Sequence, residues 1–366
     1  MSPLDRSETF RGRGAGISPA SRFAKTQRED FDDGWDIQEE ETSLRTQIFP
    51  DQSRSIFSKN ESPDIPFSVS INAYRCCEHG CIYCFARPTQ EYFDLSAGID
   101  FESKIFAKFD AARLLEKEFR KPKYIPQTIA LSGVTDIYQP VERRLQITRS
   151  LLRVFAAYRH PVALITKSAL IMRDTDILSA LAESDLVRAY ISITSLDPNL
   201  ARRMEPRAST PAARLRALET LSHRGIKTGV MLAPQIPFVN DHEMEAILAA
   251  AAGAGAGTAA YITLRLPYGL KEIFRDWLSR HFPDRADKVM QTLMSMHGGE
   301  EYRAEFFSRM RGEGVYAEML ARRFAVAARR AGLDARHNPM PTEYFHVPAD
   351  ALYAEDGQLS LFSQTH

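Results

Sequence analysis

Cysteine is the residue type whose placement says most in this chain. All four cysteines lie between positions 76 and 84, in the stretch Asn72-Ala-Tyr-Arg-Cys-Cys-Glu-His-Gly-Cys-Ile-Tyr-Cys84. Read from Cys77, the spacing is C-x3-C-x2-C. Three thiolates on one tight loop can hold three irons of a [4Fe–4S] cluster. A full cage takes four cysteines, so one iron is left open, and an open coordination position is where a metal site does chemistry. Two other uses of clustered cysteines compete. A structural zinc wants four closed ligands; Cys76 could be the fourth and His79 a spare, with strain between adjacent ligands. A disulfide framework suits small secreted chains, and these cysteines are packed too closely to staple distant segments. Cys76 breaks no spacing when ignored and reads as a small buried residue or free thiol.

The elements around the loop read as alternating strands and helices. With 366 residues, 44% of them hydrophobic and 10% aromatic, the chain can bury a substantial core. Its 47 basic and 47 acidic residues balance, so no global field draws it to nucleic acid. No apolar run is long enough for a membrane span. An oxygen-sensitive cluster and the lack of a secretion signal point to the reducing cytoplasm. Residues 1–60 are polar, and we expect them to be mostly disordered or wrapped along the surface. Within them the Arg-Gly run at 11–16 is a linker or a weak nucleic-acid contact. From there, apolar runs at 69–74, 128–132, 162–166, 189–194, 229–233 and 260–266 read as buried strands. Helical patterns separate them: 141–159 after Pro140, 211–222 between Thr210-Pro211 and Gly225, and an Ala-rich stretch from Asn240 to about Gly253. Six such units imply a parallel sheet with right-handed crossovers. They are too few for a closed eight-fold barrel, so an open α/β partial (β/α)6 barrel over 61–268 is expected. The cysteine loop follows the first strand, at the C-terminal rim where such folds build sites. A helical extension over 269–347 and a flexible tail over 348–366 complete the chain.

The cysteine spacing, with Tyr83 just before the last cysteine, resembles the radical S-adenosylmethionine (SAM) superfamily. In that family the open iron chelates SAM, and the reduced cluster cleaves it to a 5′-deoxyadenosyl radical. Partial (β/α)6 barrels are its fold. Segments from about 70 to 234 resemble more narrowly the spore-photoproduct-lyase-like (SplB-type) branch, and the N-terminal region resembles an uncharacterised bacterial subgroup of it. The resemblance implies roles residue by residue. Tyr83 contacts the adenine. Thr135 and Asp136, in Ser132-Gly-Val-Thr-Asp136, accept from the methionyl ammonium or cap the next helix. Lys167 and Ser192, at strand ends, hold the SAM carboxylate. Glu205-Pro-Arg207 matches a Glu-Pro of the branch, with Arg207 clamping an anion or forming a surface ion pair.

The chain also departs from the branch. The lyases carry a hydrogen-donating cysteine at the position of Gly133, so the same radical relay on thymine dimers is in doubt; Tyr92 or Tyr138 are the candidate donors. Ala73 and Cys76 stand where Pro and Gly are expected, which alters the stiffness of the loop. In the C-terminal part, Arg309 and Arg311 are a candidate phosphate contact or an ordinary helix-entry turn. The reading is a radical SAM enzyme with a [4Fe–4S] cluster and SAM, an electron donor of the flavodoxin or ferredoxin type, and a nucleic-acid substrate for DNA repair or base modification. Its rivals are a radical SAM enzyme acting on a protein or small metabolite, and a non-catalytic Fe–S or zinc protein. Finally, Gln358, Leu359, Ser360, Leu361 and Phe362 resemble the peptide by which bacterial proteins dock on the DNA polymerase III sliding clamp, unless they pack back on the protein.

Overall fold

A computed structural model describes residues 12–19, 21–23, 44–334 and 338–353. Ten strands form two sheets: β1 (Gln47–Pro50), β2 (Phe57–Lys59), β3 (Val69–Ile71), β4 (Tyr74–Arg75), β5 (Lys104–Ala107), β6 (Ile129–Leu131), β7 (Val162–Thr166), β8 (Val187–Ser192), β9 (Lys227–Gln235) and β10 (Thr258–Thr263). The larger sheet runs β10-β9-β8-β7-β6-β3-β2. Six of its strands, β3 and β6 to β10, are parallel, and β2 adds an antiparallel edge beside β3. This is the expected open six-unit barrel. Helices cover its outside, and the strand interiors are fully buried apolar residues such as Ile71, Leu131, Leu164, Ile191 and Val230, as parallel sheets require.

Two expected elements are broken, each by a polar side chain. The run 69–74 divides because the Asn72 carboxamide oxygen accepts from the amides of Gly133 and Val134, both at 3.0 Å. The chain then leaves the large sheet, and β4 pairs with β5 in the three-stranded sheet β1-β5-β4. The run 141–159 divides into Glu142–Leu145 and Ile147–Ala157, with Gln146 left-handed at φ 54. The Glu142 carboxylate accepts from the Thr148 amide at 3.1 Å and so caps the second piece. Pro211–His223 behaves as its sequence predicts. Thr210 Oγ1 accepts from the Ala213 amide, proline takes the first turn, and Gly225 at φ +75 follows the end.

Past the last strand, helices Leu270–His281, Ala286–Met296, Ser308–Arg311 and Gly314–Arg330 follow. The first two make a second apolar core with the cysteine loop: Ile82 and Tyr83 pack with Leu270, Phe274, Trp277 and Leu293. Trp277 also donates to the Arg203 carbonyl at 3.0 Å. The helical extension therefore supports the loop from outside the barrel. No described helix is long and apolar enough to cross a membrane.

Candidate functional site

The cysteine loop is held by buried charge. Arg87, fully buried, donates to the carbonyls of Cys81 (2.9 Å), Gly80 (3.0 Å), Ala97 (3.0 Å) and Gly98 (2.9 Å) and to Glu102 Oε1 at 2.6 Å. All five guanidinium donors are thus used, in the fixed fork that suits arginine and not lysine. Glu102, also fully buried, accepts in turn from the amides of Gly14 and Ala15 at 2.8 Å each. The N-terminal segment thereby straps the loop. A Cβ on Gly14 would sit 2.0 Å from the Gly80 carbonyl oxygen, so only glycine passes there. On the other side, the Glu78 amide donates to Gln139 Oε1 (2.8 Å), Gln139 Nε2 donates to the Cys76 carbonyl (3.3 Å), and the Glu78 carboxylate accepts from the Val141 amide. Arg87, Glu102, Glu78 and Gln139 escape sequence reading. A lone arginine or glutamate there looks like ordinary surface, and only burial marks it.

Cys76 adopts φ 62, the left-handed region where a glycine is the expected residue. It is fully buried, and burial pushes its thiol up to about 12. The charges bearing on it are Asp100, Arg75, Arg87 and Lys104, whereas those on Cys77 include Cys81 and Cys84. Burial also raises the thiols of Cys77 and Cys81, the latter to about 12. Among the described residues no three His, Cys, Asp or Glu side chains meet closely enough to hold a single metal ion. Ligands of a polynuclear cluster need not do so, because each cysteine takes its own iron.

The ends of successive strands bring Tyr83, Lys167, Ser192 and Glu205 together. Glu205, 2% exposed, accepts from the Tyr83 hydroxyl, from Thr194 Oγ1 at 2.8 Å and from Arg214 Nη2. Arg214, 1% exposed, also donates to the Ser192 carbonyl at 3.0 Å. Burial raises the Glu205 carboxyl, but Arg214 and Lys167 outweigh it and hold the group below the usual range. Lys167 Nζ lies 5.8 Å from the centre of the Tyr83 ring. Its charge is favoured by Cys81 and Glu205 against the cost of burial. Glu205 is already matched by Arg214, and among the described residues the Lys167 ammonium forms no ion pair or hydrogen bond. Ser192 is 3% exposed, and its hydroxyl, which reaches solvent, also has no protein partner among them.

Among the other predicted residues, Asp136, Thr135, Arg207 and Arg309 have protein partners. Asp136 accepts from the amides of Tyr138 (2.9 Å) and Lys167 (2.7 Å), from Thr166 Oγ1 (2.7 Å), and pairs with His79 at 3.3 Å. Burial raises its carboxyl, yet His79 and these donors bring it well below the ordinary range. Asp136 ties two strand ends to the cysteine loop. Thr135 Oγ1 donates to the Tyr74 carbonyl at 3.1 Å. Arg207 pairs with Glu78 at 3.2 Å, on the side of the loop that meets Thr46. Tyr138 is fully buried in the main core beside Arg173, and Tyr92 is 69% exposed, stacked on Phe23 with ring centres 4.8 Å apart. A Cβ at Gly133 would meet Ser70 Oγ at 3.1 Å and Asn72 Oδ1 at 3.3 Å, so the donor-cysteine position is crowded as well as empty of sulfur. Arg309 is not free for phosphate: it makes two bonds to Asp64, at 2.7 and 2.6 Å. Arg311 lies 4.2 Å from the centre of the Tyr261 ring. Residues 358–362 lie outside the described residues.

Residues 71–251 match the radical SAM superfamily. An uncharacterised protein of Mycobacterium tuberculosis is 33% identical over 294 residues, 78% of this chain and 82% of its own. An uncharacterised protein of Methanocaldococcus jannaschii is 30% identical over 173 residues, 47% of this chain and 62% of its own. Among solved structures, spore photoproduct lyase complexed with dinucleoside spore photoproduct superposes with a TM-score of 0.56 at 14% identity, covering 78% of this chain and 80% of that one. The fold is therefore that of spore photoproduct lyase, and the chain belongs to the radical SAM superfamily. It is an enzyme of that superfamily, whose cofactors are a [4Fe–4S] cluster and SAM.

Proposed function

We propose that Cys77, Cys81 and Cys84 hold the [4Fe–4S] cluster, that Lys167 and Ser192 hold the SAM carboxylate with Tyr83 beside the adenine, and that the substrate is nucleic acid. The observation that carries the reading is a half-buried lysine beside the Cys81 thiol whose ammonium makes no ion pair or hydrogen bond among the described residues. Glu205 is matched by Arg214, so Lys167 has charge to spare for an incoming carboxylate, and the Ser192 hydroxyl has a free donor. A cation in a partly dry site gains most from a charge-assisted partner. When bound and reduced by one electron, the cluster and SAM supply a carbon radical able to abstract hydrogen from a substrate. The chain's own residues do the rest. Arg87 and Glu102 fix the cysteine loop. Asp136 keeps the two neighbouring strand ends in register with it. Ile82 and Tyr83, packed on the C-terminal helices, keep water from its back. Thr135 and Asp136 act by positioning, since their side chains are already engaged by protein. The electron comes from a donor of the flavodoxin or ferredoxin type.

Two things support a nucleic-acid substrate. One is the fold shared with a lyase that was solved with a dinucleoside photoproduct. The other is an exposed ring, Phe85, packed with an arginine that has no carboxylate partner among the described residues, Arg265. Such surfaces stack and neutralise unpaired strands. With Gly133 at the donor-cysteine position, the reaction differs from the lyase's in its final hydrogen transfer. The test is anaerobic reconstitution, iron analysis, and measurement of 5′-deoxyadenosine under a chemical reductant, with and without ultraviolet-damaged or single-stranded DNA. About four irons per chain and a DNA-dependent rise in product are expected. Zinc as the only bound metal would refute the cluster, and indifference to every DNA tested would refute the substrate.

A further inference from the structure

Arg265 lies two residues beyond β10, the last strand of the barrel. Its neighbours Leu264 and Leu266, each 1% exposed, pack into the core shared with Ile82 and Tyr83. Alternation along the extended chain turns Arg265 the other way. Its guanidinium lies 4.3 Å from the centre of the Phe85 ring, and Phe85 directly follows Cys84. This contact joins the end of the last strand to the loop after the first. Arg265 is half-buried, yet among the described residues it forms no ion pair and donates no hydrogen bond. Burial lowers its pKa, with Arg309 adding to the effect, while Tyr302, Asp64 and Cys84 act against it.

The neighbouring cation is in a different state. Arg309 is held near this place because the Met310 carbonyl accepts from Thr263 Oγ1 at 3.2 Å, but its charge is taken by Asp64. The Arg265 nitrogens all reach solvent, so water serves its five donors in the free protein, and a ligand's acceptors can take the place of that water. The ring Arg265 touches says what kind of ligand. Phe85 is 42% exposed, and Phe306, 51% exposed, packs with the neighbouring Arg309. A bare carboxylate has no use for an open ring beside the cation, whereas a strand of unpaired bases stacks on it while its backbone meets the cation.

We propose that Arg265 anchors a phosphodiester of a single-stranded nucleic acid, with Phe85 as the stacking surface for the adjacent base. The proposal rests on the nucleic-acid reading above and names the residues that would deliver the substrate to the cysteine loop. The anchor is thus Arg265, and not Arg309, whose charge Asp64 takes.

The test uses the full-length reconstituted protein and a fluorescein-labelled single-stranded oligothymidylate, followed by anisotropy over a range of salt. R265A should weaken binding about 10- to 100-fold and lower the salt slope by about one. F85A should weaken binding about 5- to 100-fold and leave the salt slope unchanged, and R265K should keep the slope. Equal oligonucleotide affinity in R265A and wild type would overturn the proposal while leaving the nucleic-acid reading intact. No binding by the wild type would overturn that reading and the proposal with it. Iron content and SAM affinity are measured on the same samples. A loss of either in R265A would assign Arg265 to the cofactor site and overturn the proposal.

Discussion

Lys167 offers the sharpest test because its two possible roles predict different outcomes for SAM binding, iron content and stability. Replacing it by methionine keeps the length of the stem and removes the charge. Around it, Glu205 and Arg214 already form a pair, with Thr194 and Tyr83 completing the carboxylate's bonds. Removing Lys167 therefore strands no carboxylate. It deletes a cation that has no ion pair among the described residues, and the attraction of the nearby Glu205 offsets the cost of burying it. The protein without SAM should melt within a few degrees of wild type. SAM binding should weaken, because one charge-assisted bond to a carboxylate contributes roughly 1.5–3 kcal/mol, or about 10- to 150-fold in affinity. S192A should act on the same carboxylate, and the double variant should lose less than the sum. The assay is equilibrium dialysis of SAM against reconstituted protein, with iron content and thermal unfolding measured in parallel. SAM affinity within twofold of wild type in both single variants, with iron retained, would refute the assignment. A K167M melting point several degrees lower, with loss of iron, would make Lys167 a structural residue.

Other outcomes follow from the same geometry. C77A, C81A and C84A should each abolish the visible absorption and iron of the anaerobic protein, whereas C76A should keep both. R87M should strip the cysteine loop of its carbonyl partners and leave Glu102 buried and unpaired; a loss of about 3–5 kcal/mol in denaturant unfolding is expected, and unchanged stability would show that the loop holds itself. His160, fully buried against Phe119 and bonded to the Tyr124 hydroxyl at 2.7 Å, has its pKa pushed by burial from 6.5 down to about 3. In that window the unfolded chain binds one more proton, so stability falls as pH drops; between pH 7 and 5 this histidine should cost about 2 kcal/mol, a slope that H160Q should remove in paired denaturant titrations. A synthetic peptide of residues 353–366 should bind the purified bacterial sliding clamp with a micromolar dissociation constant, about −8 kcal/mol, and a peptide with L361A and F362A should not; equal binding by the two peptides would end that proposal.

What the amino-acid sequence determines by itself is local and periodic. The cysteine spacing, the six apolar runs and the caps at Thr210 and Gly225 depend on neighbours in the chain, and all reappear in the structure close to where their patterns place them. The two places where expected elements break, at Asn72 and at Gln146, involve a side chain bonding to backbone amides, one set more than sixty residues away and the other only six. Hydropathy says nothing about such bonds. The roles of the charged residues were decided only by tertiary structure. From sequence Asp136, Arg207 and Arg309 each read either as a ligand contact or as an ordinary cap, ion pair or turn, and segments distant in the chain give each a protein partner. Arg87 and Glu102 read as unremarkable, and they become the clamp of the cysteine loop because burial leaves their charges nothing else to meet. Lys167 and Arg265 are set apart for the reverse reason: the fold gathers their neighbours and still leaves them without a carboxylate. A charge's partner is a property of three-dimensional proximity, so one-dimensional spacing cannot tell a spent cation from a free one.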